Sequence, residues 1–304
     1  MPLKALAGVL PVVQTLFSPD ESIDGPAIES ELNWALDQGV AGLTTGMVSE
    51  VLRLTEAERR QLTELVIGVA SSRDALSVIS CGAESTLTAV AHAVHAERCG
   101  ASGIMAIPPI TVGLSDVAVH DYFAQIGDAT SIALIVQDAS GYVGRPLSID
   151  VQVQLLDRFG DRIYFKPEAA PIGPRLSQLR DASGGAARAF EGSGGAALVD
   201  SYRRGVVGTM PGTEVCWAIQ RMWEALNDED WNTAYGISGP LNSLISLQTS
   251  IDSYVAVEKY LLKKQGVIRS SASRSPHGYF MDRETEQEID RLYDILSASA
   301  MLIS

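Results

Sequence analysis

The run Ile-Tyr-Phe-Lys-Pro-Glu, from Ile163 to Glu168, sets a single lysine at the end of an apolar segment. A lysine carried on a buried strand loses hydration, which lowers its pKa and frees the amine to attack a carbonyl carbon. The same placement also suits an ion pair with Glu168 at a sheet rim, and position alone leaves both readings of Lys166 open. Glu191 closes a second apolar run, and for it and Glu168 a rim ion pair or a helix cap competes with proton transfer. Just beyond, Gly192, Gly194 and Gly195 let backbone N–H groups approach an anion at a helix start. Thr209, on the last apolar run, is a candidate to face a ligand. The four histidines show no metal-ligand spacing: His92 and His95 share a predicted helix without a third partner and read as solvated surface. His120 reads as a packing or interface residue.

The elements that must position these groups alternate regularly. Strand-like runs begin at Gly8, Val40, Leu76, Gly103, Ile132, Ile163, Arg188 and Gly205. They are continuously apolar rather than alternating, as strands buried on both faces are. Amphipathic helix patterns lie between them. One places Ile28, Leu32, Ala35 and Leu36 on a single stripe and stops at Gly39; another starts at Thr55 with Glu58 three residues on, a capping-box pattern. This rhythm predicts an α/β fold, a (β/α)8 TIM barrel over residues 1–213, with the functional site at the C-terminal strand ends. Lys166 is the lysine at such an end. An open doubly wound sheet is the competitor, but no G-x-G-x-x-G follows the first strand. Residues 214–304 lack strand patterns and predict three or four helices packed on the barrel as a C-terminal extension. Trp34, Trp217, Trp223 and Trp231 fall in helices and read as core or subunit contacts.

Composition narrows the function classes. The 304 residues are 46% hydrophobic and carry a formal net charge of −14, with no basic stripe to displace phosphate counterions, which argues against nucleic acid. An anionic ligand would need local positive charge or aimed N–H groups. Three cysteines without C-x-x-C pairing read as reduced thiols, and the N-terminus lacks a signal-peptide pattern, so the expected location is cytoplasmic. No apolar run reaches membrane-spanning length.

Taken in order, several segments resemble the dihydrodipicolinate synthase / N-acetylneuraminate lyase family. They are "GVLPVVQTLF", "GMVSEVLRLTEAER", "GASGIMAIPP", "YFKPE", "GTMPG" and "EKYLLKKQGVIRSSASRSP". The resemblance covers essentially the whole chain and implies a Schiff-base barrel acting on pyruvate or a related 2-oxo acid, with Lys166 as the imine-forming residue. It implies no cofactor and no metal, a small-molecule substrate, and a homo-oligomer, a dimer or tetramer.

The resemblance also marks departures. The family loop G-T-T-G-E-x-x-x-L binds the pyruvate carboxylate, and aligned on Glu50 and Leu54 its hydroxyl slots fall on Met47 and Val48. Backbone N–H groups and Ser49 are left to replace them, while Thr44 and Thr45 lie upstream and read as strand residues. Thr111 stands where the family has an interface tyrosine. Gln137 stands where the family has its acid/base tyrosine, and an amide cannot transfer protons in that way. Asp138, Tyr142 or an ordered water is the expected replacement. In lysine-pathway enzymes an arginine near the position of Tyr142 binds the second substrate; here the nearest is Arg145, which disfavours that pathway. The expected function is therefore a lyase or aldolase working through a lysine imine. The alternative is a weak or inert barrel kept for binding a small carbonyl compound or a partner protein; against it, an unneeded buried lysine is costly to keep.

Overall fold

The computed structural model describes residues 4–302. Eight short strands alternate with helices: β1 Gly8–Val9, α1 Gly25–Asp37, β2 Gly42–Thr44, α2 Glu56–Ser72, β3 Leu76–Ser80, α3 Thr86–Cys99, β4 Gly103–Ala106 and α4 Asp116–Asp128. The alternation continues with β5 Ala133–Asp138, α5 Ile149–Phe159, β6 Ile163–Pro167, α6 Ile172–Ala182, β7 Phe190–Glu191, α7 Leu198–Arg203 and β8 Gly208–Thr209. Four helices follow: α8 Cys216–Asn227, α9 Trp231–Ile245, α10 Ile251–Lys264 and α11 Arg283–Leu302.

The strands pair in parallel as β2-β3-β4-β5-β6 and as β1-β8-β7. Parallel bridges Val12↔Thr44 and Phe165↔Ala189 join the two sets at both seams, so the strands form the ring of a TIM barrel. Side-chain direction alternates along each strand. Val78, Met105, Ile135, Tyr164 and Phe190 fill the interior, while Ile79, Ile104, Leu134, Val136 and Phe165 face the helices. That double burial is why the strand runs read as continuously apolar.

The helix boundaries follow their caps. Thr55 accepts from Glu58 N while the Glu58 carboxylate accepts from Thr55 N, the reciprocal box expected from sequence. Gly100 ends α3 with φ 94°, a left-handed conformation that a residue with a Cβ resists.

The 213/214 boundary is less clean than the sequence suggested. Helix α8 packs on β1 and completes the ring of barrel helices, so the extension proper is α9–α11. Helix α10 turns back over the rim and lies against the 3-10 turns Met47–Ser49 and Thr213–Val215. The four tryptophans are half-buried against the main core. No helix among the described residues is long and apolar enough to cross a membrane.

Candidate active site at the C-terminal rim

Lys166 and Glu168 leave β6 on its interior side, both nearly buried, with Lys166 Nζ 3.0 Å from Glu168 Oε1. Gln137, the register partner of Lys166 on β5, donates from Nε2 to the other oxygen of Glu168 at 2.8 Å. The carboxylate is thus held from both sides. Burial pushes the Glu168 carboxyl above its ordinary range, against the opposing pull of Lys166 and of the Gln137 hydrogen bond. Gly192 follows β7 against this pair: a Cβ there would lie 2.8 Å from both Lys166 Cε and Glu168 Cγ, so the backbone approach requires glycine.

A small pocket opens over the lysine. Its walls include Gly46, Met47 and Val48, Gln137, Tyr142, Gly192 and Gly194, together with Tyr254 and Glu258 from α10. The frame that put Met47 and Val48 at the carboxylate slots therefore places them on the wall. Their backbone N–H groups belong to the open first turn of the 3-10 helix. Among the described residues, Lys166 is the one cationic side chain on this wall.

Tyr142 does reach the pocket. Its ring meets Tyr254 edge to face at 5.7 Å between centroids. Burial holds the Tyr142 phenol far above its usual pKa, reinforced by the nearby Glu168 charge, and pushes Tyr254 up to about 12. Both phenols therefore stay protonated donors near neutrality.

Behind the wall sits a second group of acids. Glu258 accepts from Gln14 Nε2, and Glu31 accepts from the Gln14 N–H at 2.8 Å. A Cβ on Gly212 would lie 2.3 Å from Glu214 Oε2 and 2.8 Å from Glu258 Oε1, which places those two carboxyls around one glycine. Glu31 Oε2, Glu214 Oε2 and Gln14 Oε1 are buried without a hydrogen-bond partner. Burial raises Glu31 to about 7 and Glu214 to about 8, and lifts Glu258 well above its ordinary value with the help of its two neighbours' charges.

Several expected residues lie elsewhere. Asp138 follows Gln137 on β5 and therefore faces the helices, not Lys166. Its carboxylate accepts from Ser140 N at 3.2 Å and Leu147 N at 3.1 Å and lies 3.5 Å from Arg175. Ser49 is buried off the pocket wall: its hydroxyl donates to Val13 O and accepts from Gly46 N. Thr209 donates to Glu191 at 2.6 Å, and Glu191 in turn accepts from Ser193 N and Gly195 N. That pair holds the loop after β7 in place, and neither residue lines the pocket.

Thr111 is exposed and donates to Glu84; with Arg145 it lines a neighbouring cleft rather than the Lys166 pocket. Arg145 itself is tied to Asp116 at 2.7 Å. Thr45 caps Ser80 N, and Thr44 is an interior strand residue. His92 is buried against α2, 3.6 Å from Glu56, and burial lowers it to about 4, so it is not the solvated surface residue expected.

Sequence reasoning missed Tyr254 and Glu258. With Ile251 they occupy one face of α10 at i, i+3 and i+7, a spacing that is visible in the sequence. What the sequence does not reveal is that this helix returns over the barrel rim.

Comparisons with known proteins identify the family and the fold. The model of the dihydrodipicolinate synthetase family matches residues 5–296. The L-2-keto-3-deoxyarabonate dehydratase of Azospirillum brasilense is 26% identical over 274 residues, 88% of each chain. Among solved structures, the 4-hydroxy-tetrahydrodipicolinate synthase of Methylacidiphilum fumariolicum SolV superposes with a TM-score of 0.88 at 18% identity, covering 98% of both chains. The sialic acid aldolase of Ruminococcus gnavus gives 0.87 at 20% identity, covering 98% of this chain and 99% of its own. The chain belongs to the dihydrodipicolinate synthetase family.

Proposed function

We propose that this protein is a class I lyase that forms an imine between Lys166 and the C2 carbonyl of a 2-oxo acid. The observation that carries this reading is the buried Lys166–Glu168 pair at 3.0 Å, open to a pocket and clamped by Gln137. Glu168 takes a proton from the attacking ammonium, leaving a neutral amine that adds to C2. The same carboxyl then protonates the carbinolamine hydroxyl, which departs as water. The resulting iminium is an electron sink: the Glu168 carboxylate, ionised again once water has left, takes a C3 proton to give an enamine, which expels a C4 hydroxyl in a dehydration. Cleavage of the C3–C4 bond instead is the aldol direction. The protonation of a departing oxygen is assigned to the Tyr142 phenol on the pocket wall, not to Asp138. The substrate carboxylate is assigned to the backbone N–H groups of Met47 and Val48.

A dehydration of a 2-oxo-3-deoxy acid is the favoured reaction. The Azospirillum relative, named as a dehydratase, matches over 88% of both chains. Arg145 turned away to Asp116 weighs against the lysine-pathway reaction. Assembly as a dimer or tetramer in the cytoplasm belongs to the same proposal.

Borohydride reduction in the presence of pyruvate and a panel of 2-oxo-3-deoxy acids tests it by intact mass. The expected product is one covalent adduct per chain that maps to Lys166. If no acid gives an adduct, or if the adduct persists in Lys166→Ala, the lyase reading fails and the inert binding barrel takes its place.

A further inference from the structure

Outside the barrel, on the groove between α2 and α3, three chemically different side chains converge. Cys99 is the last residue of α3 and His95 lies one turn before it, so both project from one face. Glu64 meets them from α2. His95 Nε2 is 3.5 Å from Glu64 Oε1 and 3.7 Å from Cys99 Sγ, and one ligand atom from each of the three lies within 4.8 Å of the others.

The 3.5 Å separation is longer than an imidazole–carboxylate hydrogen bond. It does match the edge of a coordination tetrahedron: with metal–N, metal–O and metal–S bonds of about 2.0, 2.1 and 2.3 Å, the ligand atoms stand roughly 3.3–3.6 Å apart. One ring nitrogen therefore sits at edge length from a carboxylate oxygen, and a sulfur lies just beyond edge length from it at 3.7 Å. This spacing is absent from the linear sequence as a metal motif, because Glu64 is contributed by the neighbouring helix.

We propose that Glu64, His95 and Cys99 bind a thiophilic divalent cation of the zinc class, with the fourth position left to water. A thiolate, an imidazole and a carboxylate are a ligand set that selects zinc-like ions over magnesium or calcium. On binding, Cys99 releases its thiol proton to solvent, and the two ligand anions neutralise the dication. Arg60, one turn before Glu64 on α2, is engaged by Glu56 at 3.0 Å. His92 on the same face is paired with Glu56 rather than with this group. Because the site joins two helices on the outside of the barrel, its occupation is separate from imine chemistry at Lys166.

Cobalt(II) titration of the full-length, chelator-stripped protein tests this. The expected result is a sulfur-to-cobalt charge-transfer band with tetrahedral visible bands, saturating at one equivalent and displaced by zinc. Cys99→Ser should abolish the charge-transfer band, and His95→Gln should weaken affinity at least tenfold. Both variants should keep the circular dichroism of the metal-free parent, and zinc should raise the melting temperature of the parent but not of Cys99→Ser. Absence of the band in the parent, or its survival at full intensity in Cys99→Ser, overturns the proposal.

Discussion

Two buried lysine–glutamate pairs in this molecule have the same chemistry on paper and opposite surroundings. Lys259 Nζ lies 2.5 Å from Glu50 Oε1 with both side chains fully buried, and it also donates to Ala272 O and sits 5.0 Å from the centre of the Phe17 ring. Every direction around that ammonium is filled. Lys166 shares a carboxylate with Gln137 and otherwise opens on a pocket. Burial of a lysine therefore does not distinguish a nucleophile from a fastener; free approach to the amine and a carboxyl able to exchange protons do. The two are also coupled, since Glu50 closes the Met47–Ser49 turn and Glu258 precedes Lys259 on α10, so the fastener pins two walls of the reactive site.

Substitution is expected to separate the pairs. Lys166→Ala should remove borohydride trapping and lower turnover by at least ~10⁴, because among the described residues no other amine lines the pocket wall to form the imine. Its melting temperature should stay near that of the parent. A drop as large as that of a Lys259 variant would mean that Lys166 is a second fastener. Glu168→Gln should cut the rate by ~10³, within the range of a lost general acid–base group, while the adduct still forms slowly. Measured trapping at the parental rate in this variant would move the proton role to Tyr142. Lys259→Met inverts the pattern: it removes the closest cation of the fully buried Glu50, leaving Arg53 at 3.4 Å as a looser partner, and should destabilise the fold by about 3 kcal/mol in denaturant unfolding. Trapping at Lys166 should persist in it under native conditions.

How much of this contrast the sequence carried depends on the residue. Lys166 was legible because it is a lysine at a strand end, and the ring of strands was legible because each is apolar on both faces. The Gly46–Val48 wall followed from matching a motif frame. Asp138 went wrong for a reason that period-two geometry could have caught: Gln137 is in register with Lys166, so its neighbour must face the helices. Ser49, Thr111 and Thr209 failed differently. A hydroxyl near a strand end is equally able to bind ligand or to satisfy backbone and carboxylate groups, and only the fold shows that Val13, Glu84 and Glu191 claim these three. Tyr254 and Glu258 required knowing that α10 crosses the rim, a tertiary fact without a local signal.

The acids behind the pocket sharpen the comparison further, because there buried carboxyls stand without a full set of cations. Glu31 is raised from 4.5 to about 7, chiefly by burial, against the opposing pull of the Gln14 N–H first and of Lys259, which is paired to Glu50, last. A carboxyl whose folded pKa exceeds its unfolded pKa binds more protons in the native state between the two values. Stability therefore falls as pH rises through that window. For Glu31 the window runs from 4.5 to about 7, and the expected loss between pH 5 and 7 is about 2 kcal/mol. Glu31→Gln keeps the volume and an oxygen acceptor for the Gln14 N–H but cannot ionise, so its stability should be flatter across that range. Denaturant unfolding at pH 5 and pH 7 checks this directly. If the variant keeps the parental slope, the proton is held instead by Glu214 or Glu258, whose folded values lie higher, and the loss in the parent should then continue above pH 7.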